Sequence, residues 1–246
     1  MDSKSAAALV IGNEILTGKI EEGNIASLAR GLFARGVEFR RIVVCRDEIE
    51  VIGEELTSLR TAHDYVFTSG GVGPTHDDVT IAGVAHSFGR DVVRSDEIVA
   101  LIRTFHARRD RPVTDAHLRM ADIVAGSRLI SSEDVPWPTL VVDNVYVLPG
   151  VPAIFRMKLD VVLKELEGEG FASCAVYTNC DEGIIAPVLS QLSAAHPTVA
   201  VGSYPRFDAD DHKVKVTFDG KDAALVAAVA DEFVKAIPAE LYVRRS

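Results

Sequence analysis

Short apolar runs and helical stripes alternate along the first two thirds of the chain. Ala7-Ala8-Leu9-Val10-Ile11 is apolar throughout, as a strand covered on both faces must be. Ile25, Leu28, Ala29, Leu32 and Phe33 then recur at helical spacing, and Gly36 stops that helix. Arg41 to Cys45 reads as a second strand, and Ile49, Ile52, Leu56 and Leu59 mark a second helix. Asp64 to Ser69 is a third strand, followed by a glycine loop and a helix beginning near Asp78. Asp91 to Arg94 and a helix carrying Ile98, Leu101, Ile102 and Phe105 continue the alternation. Thr139–Val142 and Val145–Leu148 flank Asp143-Asn144, a two-residue hairpin signal. A helix from about Ala153 to Glu167 closes the segment. The order predicts an α/β domain, doubly wound in three layers around a mostly parallel sheet.

The pattern changes at Glu167-Gly168-Glu169-Gly170. Strand 172–178, helix 184–195, strands 198–204 and 213–218, helix 222–236 and strand 240–244 give β-α-β-β-α-β, a small α+β sandwich. The expected domains are therefore 1–168 and 171–246.

Composition narrows the function. The chain has 246 residues, 48% hydrophobic and 25% charged, enough to build sizeable cores. Thirty-six acidic against 26 basic residues leave a net charge of −10, which argues against nucleic acid as the partner. Residues 171–246 carry 7 basic and 10 acidic residues, a net of −3, so the second domain shares that expectation. The first apolar run, Ala6 to Ile11, is too short for a signal sequence or a membrane span, and three cysteines form no CxxC pair. A cytoplasmic protein, off the membrane, is the expectation.

The stretch Ser69-Gly70-Gly71-Val72-Gly73-Pro74-Thr75-His76-Asp77-Asp78-Val79-Thr80 carries the chemistry. It leaves a strand and opens a helix, where backbone N–H groups and the helix dipole favour an anion. No GK[ST] follows, so it is not a Walker A loop, and His76 stands where a dinucleotide fingerprint needs its later glycine. Asp77 and Asp78 would repel a phosphate unless a divalent cation (Mg²⁺, Mn²⁺ or Co²⁺) lies between them. The competing reading is that one of them caps the helix. Strand order brings Gly12, Asn13, Glu14, Asp47, Glu48 and the turn Pro149-Gly150 to the same edge, where open α/β sheets bind ligands. Each of the acids alone also reads as a solvated loop charge. His76 is either a proton donor or an exposed loop histidine. Cys45 reads as a buried strand thiol, and Trp137 as a stacking platform or a packing wedge.

GNEILTG (12–18), Asn24, GGVGPTHDDVT (70–80) and NVYVLPGVP (144–152) resemble the CinA-like, molybdopterin-binding-like family of MogA/MoaB fold, and within it the N-terminal domain of eukaryotic-type FAD synthases. IAPVLSQL (185–192) and GSYPRF (202–207) resemble the small KH-like domain that follows in those proteins. The resemblance implies catalytic Asp47, Asp77 and Asp78; a phosphate cradle of Ser69, Gly70, Gly71, Gly73 and Thr75 with Gly12, Asn13, Pro149 and Gly150; and a metal held by Asp77, Asp78 and Glu14. His117 and Arg119 stand where bacterial relatives carry Asn and Lys. The implied activity is metal-dependent cleavage of the diphosphate of FAD or ADP-ribose, in a homo-oligomer (dimer or trimer). The alternatives are a molybdopterin-binding protein acting on the pterin phosphate and a non-catalytic nucleotide-binding module.

Overall fold

The computed structural model describes residues 3–166, 168–206 and 211–246, which fold as two compact units, 1–168 and 169–246. In the first, β1 (Ser5–Ile11), α1 (Asn13–Leu16), α2 (Ile25–Phe33), β2 (Glu38–Cys45), α3 (Ile49–Ala62), β3 (Tyr65–Ser69) and α4 (Thr80–Phe88) follow in order. Then come β4 (Val92–Arg94), α5 (Asp96–Ala107), α6 (Asp115–Arg119), β5 (Asp122–Val124), β6 (Arg128–Ile130), β7 (Thr139–Val142), β8 (Val145–Leu148) and α7 (Pro152–Val162). The sheet order is β2-β1-β3-β8-β7-β6. Its first four strands are parallel and the last two antiparallel.

Strand alternation divides the core into two layers. Ala6, Ala8, Phe67, Tyr146 and Leu148 meet Leu28 and Leu32 of α2 and Phe155, Leu159 and Val162 of α7. Ala7, Leu9, Ile11, Val66, Val145 and Val147 meet Ile52, Leu56 and Leu59 of α3 and Val84 and Ala85 of α4. The alanines of β1 let helices approach a strand that is buried along its whole length.

Three local expectations change. The 91–94 strand stays out of the main sheet: β4 pairs antiparallel with β5 in a separate two-stranded ribbon, its valines partly in water. α4 begins at Thr80, and neither Asp77 nor Asp78 caps it. The last helix ends at Val162 with one 3-10 turn, Leu163–Glu165, and Glu167 lies outside the described residues.

The second unit comprises β9 (Ala172–Thr178), α8 (Glu182–Ala195), β10 (Ala200–Pro205), β11 (Val214–Gly220), α9 (Ala223–Ala236) and β12 (Tyr242–Arg245). The sheet, ordered β10-β11-β9-β12, is antiparallel throughout, the split βαβ arrangement that the element order predicts. Its core is Val176, Val216 and Phe218 against Val226, Val229 and Phe233, with the two phenylalanine rings 5.7 Å apart. Phe207, the last residue of GSYPRF, lies outside the described residues.

Candidate functional site

The glycine loop runs between β3 and α4 at the carboxyl edge of the parallel strands. Gly70 and Gly71 sit at φ 109° and 64°, the left-handed region open to glycine. A Cβ on Gly70 would fall on the carbonyl oxygen of Ile11, and one on Gly71 on the hydroxyl of Thr80. The glycines are needed first because the loop lies directly on its own scaffold. Thr80 fixes it there: its hydroxyl donates to the carbonyl of Gly70 (2.9 Å) and its amide to Gly71 (3.1 Å). The foremost amide of α4 is thereby used within the chain. Among the described residues, however, nothing pairs the amides of Gly71, Val72 and Gly73. Three successive free N–H groups after two positive-φ residues make an anion-binding concavity.

Those three residues line a cavity of about 420 Å³. Thr75 and Asp78 extend the loop's side of it, and Pro149 follows from the β8–α7 turn. The rest is largely apolar: Ile81, Ile123, Leu129, Leu140, Val147 and the ring of Trp137. The Asp78 carboxylate turns back onto the loop, accepting from the amide of Thr75 (2.8 Å) and from its hydroxyl. That turn also fills the space over Gly73, where a Cβ would strike the carboxylate.

The other acids lie off the cavity wall. Asp47 accepts from the amide of Asn13 (2.8 Å), next to Gly12, whose own amide donates to Cys45 (3.2 Å). Burial pushes the Asp47 carboxyl above its usual range despite the Asn13 bond, and Glu14 and Asp77 push it further. Glu14 folds over Gly12. Asp77 is exposed, and its carboxyl is held below the usual range by the Thr75 hydroxyl and its own amide, with His76 beside it (3.8 Å). Asp47 thus feels the charges of Glu14 and Asp77, whereas Asp78 is engaged with Thr75. Burial pushes the Cys45 thiol up to about 12, which leaves it un-ionised and unreactive.

Two residues have roles that the sequence reading did not assign, although Asn24 was among those that carry the resemblance. Asn24 stands at the start of α2, where asparagine normally caps. Glu22 does that work instead, accepting from the amides of Asn24 (2.8 Å) and Ile25 (2.9 Å). Asn24, 3% exposed, is left to donate to both Ser69 Oγ (2.9 Å) and the carbonyl of Gly150 (2.8 Å). It clasps the glycine loop to the β8–α7 turn, where Gly150 packs on Gly70. Lys158 of α7 is buried on the cavity wall and donates to the carbonyls of Pro138 (2.5 Å) and Trp137 (3.0 Å). Desolvation lowers its amine to about 8. The signal for Lys158 was present, since it falls in register with Phe155, Leu159 and Val162 on the buried face. Arg119 was singled out from the sequence: its guanidinium holds the carbonyl of Pro74 (2.7 Å), tying α6 to the loop.

Residues 7–168 match the family described as "Probable molybdopterin binding domain", and residues 170–246 match "FAD synthase, middle domain". A protein of Archaeoglobus fulgidus is 31% identical over 223 residues, covering 91% of this chain and 93% of its own. A "Probable FAD synthase" of Caenorhabditis elegans is 33% identical over 251 residues, 92% of this chain and 48% of its own, so this chain spans about half of that relative. The crystal structure of CinA from Thermoplasma acidophilum aligns with a TM-score of 0.60 at 31% identity, over 67% of this chain and 98% of that one. No helix among the described residues is long and apolar enough to cross a membrane. The match over two thirds of the sequence and the alignment with CinA establish that the chain belongs to the molybdopterin-binding-domain family, CinA-like proteins included, with an FAD synthase middle domain following.

Proposed function

We propose that the larger unit hydrolyses the diphosphate of a dinucleotide of the FAD or ADP-ribose type, with a divalent cation. The observation that carries this reading is the row of free amides at Gly71, Val72 and Gly73 on the wall of an apolar cavity. A phosphate at the amides leaves a planar base or isoalloxazine against Trp137 and the aliphatic wall. The FAD synthase relatives support a flavin nucleotide as one such ligand.

The donor set bears on the cation. Among the described residues, no three His, Cys, Asp or Glu side chains converge as one ligand set. Glu14 and Asp77 lie near enough to raise the Asp47 carboxyl. That fits the mode in which Mg²⁺ or Mn²⁺ takes one or two carboxylates and completes its shell with phosphate oxygens and water. A cation bound there neutralises the diphosphate and acidifies a water. Asp47, held by Asn13, is the oriented member of the set, and the charge of Asp77 on the loop acts on it. Asp78 has a different task, fixing Thr75 so that the loop keeps its shape.

Product analysis with FAD and, separately, ADP-ribose, each with Mg²⁺, Mn²⁺, Co²⁺ or EDTA, tests the reading. AMP with FMN or ribose 5-phosphate, stopped by EDTA, is expected. Asp77→Asn should lower turnover at least 100-fold while FAD still binds, and Asp78→Ala should lose both. Intact substrate under every metal would overturn the assignment. The family match over residues 7–168 supports a second reading, in which the cavity takes a pterin and the amides its phosphate. Tight molybdopterin binding with no cleavage of FAD would favour it.

A further inference from the structure

The α5–α6 lobe carries chemistry that the diphosphate site does not use. A second cavity, about 330 Å³, opens among Phe105, His106, Arg109, Arg111, His117 and Trp137. Trp137 and Met120 line both cavities, and α6 supplies His117 to the second and Arg119 to the first. The two spaces are therefore neighbours across one tryptophan.

The lining is unusual in three respects. Phe105 keeps 51% of its surface exposed, and the Arg109 guanidinium lies 3.7 Å from its ring centre. His106 and His117 stand 4.2 Å apart, ring centre to ring centre. Their local partners set opposite tautomers. His106 Nδ1 faces the carbonyl of Pro112 (3.1 Å) and carries the hydrogen, whereas His117 Nδ1 accepts from the amide of Thr114 (3.1 Å), which places its hydrogen on Nε2. Finally, no carboxylate pairs with Arg109 or Arg111 among the described residues, and Arg109 also donates to the Phe105 carbonyl (3.4 Å). The Arg109 and Arg111 guanidiniums, beside an exposed aromatic ring and a histidine N–H, suit a planar ring with polar edges.

We propose that this cavity is a second nucleotide subsite, taking one mononucleotide half of a diphosphate-bridged dinucleotide while the other half fills the first cavity. The ligand turns about Trp137, with its diphosphate at the free amides of the glycine loop. The inference rests on the reading of that loop as a diphosphate cradle. It makes the site's substrate class two-armed, because a ligand with a single ring would leave the second cavity empty.

Equilibrium binding of FAD, FMN and AMP, in EDTA so that nothing turns over, tests it on the full chain. The wild type should bind FAD at least 10-fold more tightly than the better of FMN and AMP. The exposed pair R109E/R111E should erase that advantage and leave the better half's affinity within twofold of wild type. R103E/R108E changes the same charge on exposed residues of the same lobe that do not line the cavity, and it should leave FAD affinity within twofold. Unchanged FAD affinity in R109E/R111E overturns the second subsite alone, as does an equal loss from both charge-reversed pairs or from both mononucleotides. FAD bound but not cleaved when metal is restored overturns hydrolysis alone, and no FAD binding by the wild type overturns both.

Discussion

Gly70 and Gly71 of the larger unit sit in left-handed backbone, whereas no residue described in the smaller unit has a positive φ. The smaller unit fills a regular sheet with Val176, Val216, Phe218 and Phe233 and ties its corner locally, Thr178 Oγ1 donating to the carbonyl of Leu241 (2.8 Å). Its one buried polar atom without a partner, among the described residues, is His212 Nε2. The larger unit leaves Asn24 Oδ1 and Thr68 Oγ1 without partners near the carboxyl edge of its strands, and buries a lysine amine there as well. Both units have the apolar cores that folding needs, so these costs are not a general condition of the chain. The unpaired Asn24 and Thr68 atoms and the Gly70–Gly71 pair lie where a ligand would, as expected when unpaired groups serve a site, while most other left-handed residues of the unit sit in turns.

Substituting matched glycines gives the sharpest break in that comparison. Gly70→Ala places a methyl against the Ile11 carbonyl at a φ that alanine avoids, and should destabilise the larger unit by about 2–4 kcal/mol. FAD affinity should fall with it. Gly202→Ala in the smaller unit meets only the exposed Tyr204 ring and the Thr217 hydroxyl, which can move, and should cost under about 1 kcal/mol. Thermal denaturation of the two variants beside the wild type reads the difference. Equal shifts would mean that Gly70 is no more constrained than an ordinary strand glycine.

How much of this was legible in the sequence depended on period. β1, α2, α3 and the 143–144 hairpin were readable because a buried strand, a helical stripe and a turn dipeptide each leave a repeated signal. β5 and β6 were not, since three-residue strands with one fully buried side chain each have no period to detect. The glycine loop was legible as a loop, but its reasons were not. No sequence pattern shows that Ile11 and Thr80 occupy the space beside its glycines. Asp77 and Asp78 look equivalent in sequence, and only the fold gives one the Thr75 amide and leaves the other largely exposed.

Asn24 tests whether the unpaired groups of the larger unit serve the site or merely tolerate it. Asn24→Leu keeps the volume and removes both donors, so Ser69 and Gly150 lose their common partner. The buried orphan Oδ1 disappears with them, which offsets part of the loss, so the net stability cost should be about 1–2 kcal/mol. Ligand affinity should fall more than stability does, on the order of 10-fold, because the clasp aligns two loops that meet at Gly70 and Gly150. A variant with wild-type FAD affinity would show that the two loops hold their positions without it.

Lys158 gives the effect with the cleanest sign. Its amine titrates near 8 in the folded chain because burial disfavours the charge, against an ordinary lysine value of 10.5. Between those values the unfolded chain holds a proton that the folded chain has released, so stability rises with pH across that window, by at most about 1.4 kcal/mol per pH unit. Below about 8 both states are protonated, and the full cost of the buried ammonium is present. Lys158→Met should flatten this rise in chemical denaturation followed across the window. The carbonyls of Trp137 and Pro138, which the ammonium now bonds, would lose their donor in that variant. The same titration bears on the cavity, because above about 8 the amine is neutral and its hold on the Trp137–Pro138 segment weakens. Ligand affinity at the Trp137 wall should therefore fall as pH rises through 8 in the wild type and stay level in Lys158→Met. A parallel fall in both would assign the pH dependence to another group.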